Sequence, residues 1–183
     1  MASEGRLALP STWFTWHDHL FRPGMRVLDL ACGDGRHSLA AAARGAAVTA
    51  WDRDARALES GRAAADARGL RIDWQEVDLA ADWPDAPPFD AILLFNYLAR
   101  DRMPQVRTAL APGGTLVMET FLTTQRDLGW GPTADEHLLA RGELARLVAP
   151  LEVLHGREVL EPVDVERWRA VASVVARRRP DAP

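Results

Sequence analysis

Three aspartates, Asp29, Asp52 and Asp78, each close a short apolar run, and a glycine-punctuated turn, Gly33 and Gly35 around Asp34, follows the first. A carboxylate at a strand end offers several lone pairs, enough to accept both hydroxyls of a ribose or the hydrogens of an exocyclic amine. A glycine turn that feeds a helix exposes backbone N–H groups at the helix N-terminus, where a ligand is held. Each feature alone is ordinary loop chemistry. Three acids at successive strand ends beside such a turn point to an adenosine-bearing ligand. Asp52 lies 17 residues beyond Gly35, close to the ~20 expected of a ribose-reading acid. Asp78 is placed to accept from an adenine amino group, with Leu79 against the ring edge.

The surrounding residues separate two such ligands. A dinucleotide fingerprint wants glycine or alanine where this chain has Ser38, and its first glycine follows the strand directly, whereas Asp29 precedes Gly33 by four positions. A carboxylate there repels a pyrophosphate but attracts an ammonium. The zwitterion of a methionine-type cofactor fits: Asp29 for its ammonium, Arg36 or the helix N-terminus for its carboxylate. The charge pattern favours S-adenosylmethionine over NAD.

The elements that must position these residues follow from alternating apolar runs and helical patterns, the mark of parallel strands joined by crossovers. Strands are expected over 25–31, 46–51, 70–77, 89–95 and 115–121, with helices over 36–44, 54–68, 100–110 and 142–147 and a turn at Pro112–Gly114. Ser11 is the expected cap of a leading helix carrying Trp13, Trp16 and Leu20. Its aromatics serve as a staple or as a lid. Residues 151–161 and 165–178 are β-branched and alternating, and read as a terminal hairpin on the sheet edge. The expected fold class is α/β: a Rossmann-like, doubly wound, seven-stranded, mainly parallel sheet with an antiparallel C-terminal hairpin strand. A single domain is expected, with 1–23 a leading helix and candidate lid, 24–176 the sheet core and 177–183 a solvated tail.

Composition narrows the function classes. Of 183 residues, the 22 basic ones are all arginine. A phosphate-loop lysine, a Schiff-base lysine and a Tyr–Lys reductase pair are therefore absent. A net charge of −4 gives nucleic acid no general electrostatic hold. The lone Cys32 permits neither an internal disulfide nor a cysteine-rich zinc site, and suits a cytoplasmic setting. No run reaches the ~18 apolar residues of a membrane span. His17 and His19, two apart, do not share a helix face, so no metal site is expected.

The stretch 27–58, "VLDLACGDGRHSLAAAARGAAVTAWDRDARAL", closely resembles the nucleotide-binding core of class I S-adenosylmethionine-dependent methyltransferases, in the form of the small tellurite-resistance-like bacterial group. "FDAILLFNYL", "LAPGGTLVMETF" and "GPTADEHLLARGELARLV" resemble later segments of a branch of that group. The resemblance implies that Ala31, Cys32, Gly33 and Gly35 wrap the methionine portion and that Asp52 holds the ribose. Arg53 then flanks the adenine, Asp78 and Leu79 contact the base, and Asn96 and Tyr97 border the methionine portion. Ala31 departs from the pattern, standing where the first motif glycine is common.

Methyl transfer is an in-line displacement that chiefly demands alignment. Soft acceptors such as a thiolate or a metalloid oxyanion need no base; a hydroxyl, amine or acidic carbon does. Residues past the fourth and fifth strands are expected on the acceptor side: Asn96, Tyr97, Arg100, Glu119, Thr120, Phe121, Gln125 and His137. Tyr97, Glu119 and His137 are the catalytic candidates, and 122–139 is a candidate lid over a small-molecule acceptor. His37 is expected to cap first-turn backbone. Nucleic-acid and membrane partners are not expected, and the chain is read as a monomer or homodimer. A non-catalytic cofactor-binding module and a nicotinamide-linked oxidoreductase are the alternatives.

Overall fold

The computed structural model describes residues 9–180; residues 1–8 of the expected leader and 181–183 of the expected tail lie outside them. The strands are β1 (Arg26–Leu30), β2 (Ala47–Asp52), β3 (Ile72–Glu76), β4 (Phe89–Phe95), β5 (Leu110–Phe121), β6 (Glu152–Pro162) and β7 (Trp168–Arg177). The helices are α1 (Thr12–Trp16), α2 (Arg36–Ala43), α3 (Ala55–Asp66), α4 (Met103–Ala109) and α5 (Glu143–Leu147). One seven-stranded sheet runs in the order β3-β2-β1-β4-β5-β7-β6. β7 is antiparallel to both β5 and β6, while β2 is parallel to β1 and β3, and β4 to β5. This is the expected Rossmann-like sheet with its C-terminal hairpin. Among the described residues no helix is long and apolar enough to cross a membrane.

The chain divides between Asp85 and Ala86 into two compact units. In the first, α3 starts because the Asp54 carboxylate accepts from the N–H groups of Arg56 and Ala57, satisfying two donors that a helix start leaves open. Its Leu58, Gly61 and Ala65 share the buried stripe. With Leu39 of α2, Ala50 of β2 and Cys32, they close around the indole of Trp74 on β3. The other side of β2 carries Trp51, which meets Trp83 edge to face at 5.6 Å. The segment after β3 supplies that cover with no helix of its own, a loop rich in proline.

The leading helix is short, and aromatic packing holds it. Ser11 caps it through the Phe14 N–H, as expected. Phe14 stacks on Phe21 at 5.0 Å and lies 5.4 Å from the ring of His37. Trp13 and Phe14 are buried while Trp16 stays exposed, so these side chains staple α1. His37 also reaches beyond its own turn: Nε2 accepts the Ser11 N–H at 3.1 Å and tethers α1 to α2.

In the second unit, the expected Pro112–Gly114 turn is instead an irregularity inside β5. Gly113 N–H donates to the Arg178 carbonyl and Arg178 N–H to that of Gly114, and the β4–β5 register shifts between Phe89 and Ala91 to accommodate it. The same bonds correct the expected tail. Arg177 pairs with Glu152, and Arg178 donates to the Leu110 carbonyl at 2.6 Å, so these two residues continue the sheet while Arg179 is exposed. β7 lies inside because its residues from Ala170 to Ala176 are buried. The more polar β6 takes the edge.

Candidate functional site

Between β1 and α2 the backbone turns through three left-handed residues, Ala31 (φ 52°), Gly33 (φ 58°) and Gly35 (φ 76°). Cys32 N–H donates to the Trp51 carbonyl and Gly35 N–H to that of Cys32, fixing the loop between β1 and β2. Gly35 stands at the start of α2 and has no capping side chain. Asp29 serves instead: it accepts from the Ser38 hydroxyl at 2.6 Å and from the Ser38 backbone N–H. Burial pushes its carboxyl up to about 7, against the lowering effect of the Ser38 bonds and Arg36. The acid read as an ammonium partner is first of all a cap reaching α2 from the strand below.

Asp52 is the best-organised acid of the turn. One oxygen accepts the Gly33 N–H at 2.7 Å and the other the Asp54 N–H at 2.8 Å. Each oxygen keeps a further lone pair, so the carboxylate is oriented but not exhausted. It is half-buried.

The two glycines divide the work. A Cβ on Gly33 meets nothing within 4 Å, so this face of the turn opens onto space that a ligand can use. A Cβ on Gly35 falls 2.2 Å from Trp74 Cη2. Gly35 is therefore glycine for the core, as is Gly61, whose Cβ falls 2.5 Å from the same atom. Open space therefore lies at Gly33, while the Cα of Gly35 faces the core.

The other expected cofactor residues of this unit are near the turn in different states. Arg36 is half-buried, with Nη1 donating to the Leu9 carbonyl at 3.2 Å. Arg53 is exposed after β2. Asp78 is exposed and accepts its own loop's Ala80 N–H at 3.0 Å, while Leu79 is buried beside it. Cys32 is buried, and desolvation with the nearby Asp29 and Asp52 charges pushes its thiol up, so it is no thiolate nucleophile.

In the second unit, Asn96 follows β4 in a left-handed conformation (φ 57°), exposed, its N–H on the Glu119 carbonyl at 2.9 Å. A non-glycine residue held there at a strand end stores strain of the kind found at functional sites. Tyr97 beside it is half-buried. Glu119 is fully buried and engaged: Oε2 accepts from Ser173 Oγ at 2.8 Å and Arg157 Nη2 at 3.1 Å, and Oε1 lies 3.1 Å from Arg169 Nη2. Both arginines also pair with Glu161, closing a ring of alternating charge across β5, β7 and β6. Glu119, expected as a catalytic residue, is placed as a clamp of the sheet, because a buried carboxylate needs such partners.

The remaining acceptor-side candidates scatter. Thr120 is buried and Phe121 half-buried. His137 is exposed at the end of a 3-10 turn. Arg100 is spent on Glu143 at 2.6 Å and on the carbonyls of Glu136 and Leu138. Gln125, fully buried, accepts the Ala170 N–H and donates to the Trp130 carbonyl, both at 2.9 Å. Trp130 Nε1 in turn donates to the Trp168 carbonyl at 2.7 Å. The 122–139 segment is thus fastened to the hairpin. Sequence reasoning missed Ser38, Gly61 and Trp74 as the parts that shape the turn. The one available sign was that Ser38 lies nine residues from Asp29, within reach of a strand-turn-helix.

Residues 27–114 match the family model described as a methyltransferase domain. The chain is 40% identical over 98 residues to a protein-L-isoaspartate O-methyltransferase of Methylorubrum populi, covering 53% of this chain and 45% of the relative. It is 31% identical over 160 residues to a ubiquinone biosynthesis O-methyltransferase of Xanthomonas campestris, covering 83% and 63%. It therefore spans less than two thirds of the length of either relative. The crystal structure of TehB from Haemophilus influenzae superposes with a TM-score of 0.78 at 21% identity, over 93% of this chain and 63% of that one. The strand order agrees with these likenesses, and the chain has the fold of the class I S-adenosylmethionine-dependent methyltransferases.

Proposed function

We propose that this chain binds S-adenosylmethionine at the β1–α2 turn and transfers its methyl group to a small-molecule acceptor. The observation that carries the reading is Asp52, a carboxylate oriented by two backbone N–H groups at the end of β2, beside the open face of Gly33. That is an arrangement suited to a vicinal diol. The methyltransferase-domain match over residues 27–114 supports it. The sulfonium of the bound cofactor makes the methyl group electrophilic, and the protein's part is to hold it in line. In this proposal Ala31, Cys32, Gly33 and Gly35 surround the methionine portion, and Arg36 serves its carboxylate. Asp52 takes the ribose; Arg53, Asp78 and Leu79 take the adenine. Asn96 and Tyr97 keep their assignment to the methionine portion, with Tyr97 the remaining catalytic candidate.

The acceptor we propose is soft, a thiolate or a metalloid oxyanion. Glu119 is committed to two arginines and His137 stands on the surface, which favours a nucleophile that needs no base.

Calorimetric titration with S-adenosylmethionine, S-adenosylhomocysteine and NADH tests the cofactor. The expected result is binding of the two sulfur compounds only, weakened about tenfold or more in Asp52→Ala. A folded protein that binds neither overturns the reading. Mass-spectrometric detection of methylated product with a thiol, selenite and a phenol then tests the acceptor. Turnover of the phenol alone refutes the soft class.

A further inference from the structure

β6 ends the sheet, and among the described residues no strand lies on its far side. Long edge strands invite pairing, and most are blunted by lysine, proline or a short length. β6 is eleven residues long and carries its proline only at the end, and its register shift against β7, between Val153 and His155, leaves residues 156–160 regular; its charges, Glu152, Arg157, Glu158 and Glu161, include no lysine. It also exposes Val153 (43%), Leu154 (37%) and Leu160 (56%).

Gly156 in the middle of β6 has no reason within its own chain. Its φ is not left-handed, and an added Cβ would make ordinary 3.7 Å contacts with the Ser173 carbonyl and Val153 Cγ1. Glycine inside a strand weakens it and often marks the close approach of another backbone. Gly156 is on the floor of a groove of about 260 Å³, lined also by Leu144 and Ala145 of α5, Val153, Ala172 and Val174. The β6–β7 register puts Gly156, Glu158 and Leu160 on one face, opposite Val174, Ala172 and Ala170.

We propose that β6 is the seam of a homodimer, in which two copies pair antiparallel about a two-fold axis at Glu158. Residues whose numbers sum to 316 then stand opposite each other, so Leu160 of each copy lies over Gly156 of the other and fills the groove that Gly156 leaves. On the opposite face, Arg157 of one copy has Arg157 and Glu161 of the other as its diagonal neighbours, the second within reach for opposite charges. The Arg157–Glu161 pair, at 2.8 Å within each chain, thereby continues across the seam. The two Glu158 carboxylates meet on the axis, and each faces its own Arg141 at 3.5 Å and accepts the Gly142 N–H, which eases their repulsion.

Sedimentation analysis of the whole chain tests this. The expected particle is twice the 20.2 kDa chain mass, and Leu160→Arg weakens association about a hundredfold or more while leaving circular dichroism unchanged. The axis is tested in a Cys32→Ala background: Glu158→Cys alone should form a covalent dimer on mild oxidation, because residues opposed across a strand pair lie within disulfide range. A monomer at all concentrations, a dimer indifferent to Leu160→Arg, or a dimer that Glu158→Cys fails to cross-link each overturns the proposal.

Discussion

At the scale of single residues, Asp29 couples the candidate site to folding through its proton. Its carboxyl titrates near 7 in the folded chain against 3.8 when exposed, so the native state holds a proton that the unfolded state gives up. The stabilisation this provides is complete below pH 3.8 and is lost as pH rises toward and through 7. Asp29→Asn, which keeps an acceptor for Ser38, should match the parent near pH 4 and exceed its stability at pH 8 by about 4 kcal/mol, measured by urea denaturation across pH. Ala31 offers a second test. Its φ of 52° is a left-handed conformation that a Cβ disfavours. Ala31→Gly should raise stability by about 0.5–1 kcal/mol, seen as a higher urea midpoint with unchanged slope.

At the scale of elements, the turn and the clamp respond to substitution in opposite ways. Gly35→Ala drives a methyl group into Trp74, and the collision is shared by β3, α2 and α3. It should cost about 2–3 kcal/mol of stability, part of which Trp74→Leu restores in the double variant. Gly33→Ala meets no atom and carries only its left-handed strain, so it should lose about 1 kcal/mol of stability but most of its cofactor affinity. Calorimetry on both variants separates the two glycines. Glu119→Gln removes one charge from the ring of Arg157, Arg169 and Glu161. It should cost about 3 kcal/mol in chemical denaturation, with cofactor affinity held. A catalytic Glu119 would instead lose turnover at full stability.

At the scale of the whole molecule, the proposed seam makes thermal stability depend on concentration. The melting temperature should rise with protein concentration in the parent and stay constant in Leu160→Arg, as scanning calorimetry at two concentrations would show. The order of elements was legible from the chain because parallel strands buried on both faces read as near-continuous apolar runs, as in Phe89–Phe95. The β5 irregularity at Gly113 was not legible, since it depends on Arg178, 65 positions away.

What the sequence determined by itself is local and periodic. It placed the acids at strand ends, the glycines in a turn and Ser11 as a cap, because spacing and backbone preference act over a few residues. It also limited the chemistry, since a chain without lysine and with one cysteine lacks whole classes of mechanism. The tertiary structure decided which partner each polar group found. Asp29 met Ser38, Asp52 met Gly33, His37 met Ser11, and Glu119 met Arg157 and Arg169. A buried charge or donor must be satisfied wherever the fold brings a partner close, and that distance is set by packing across the sheet.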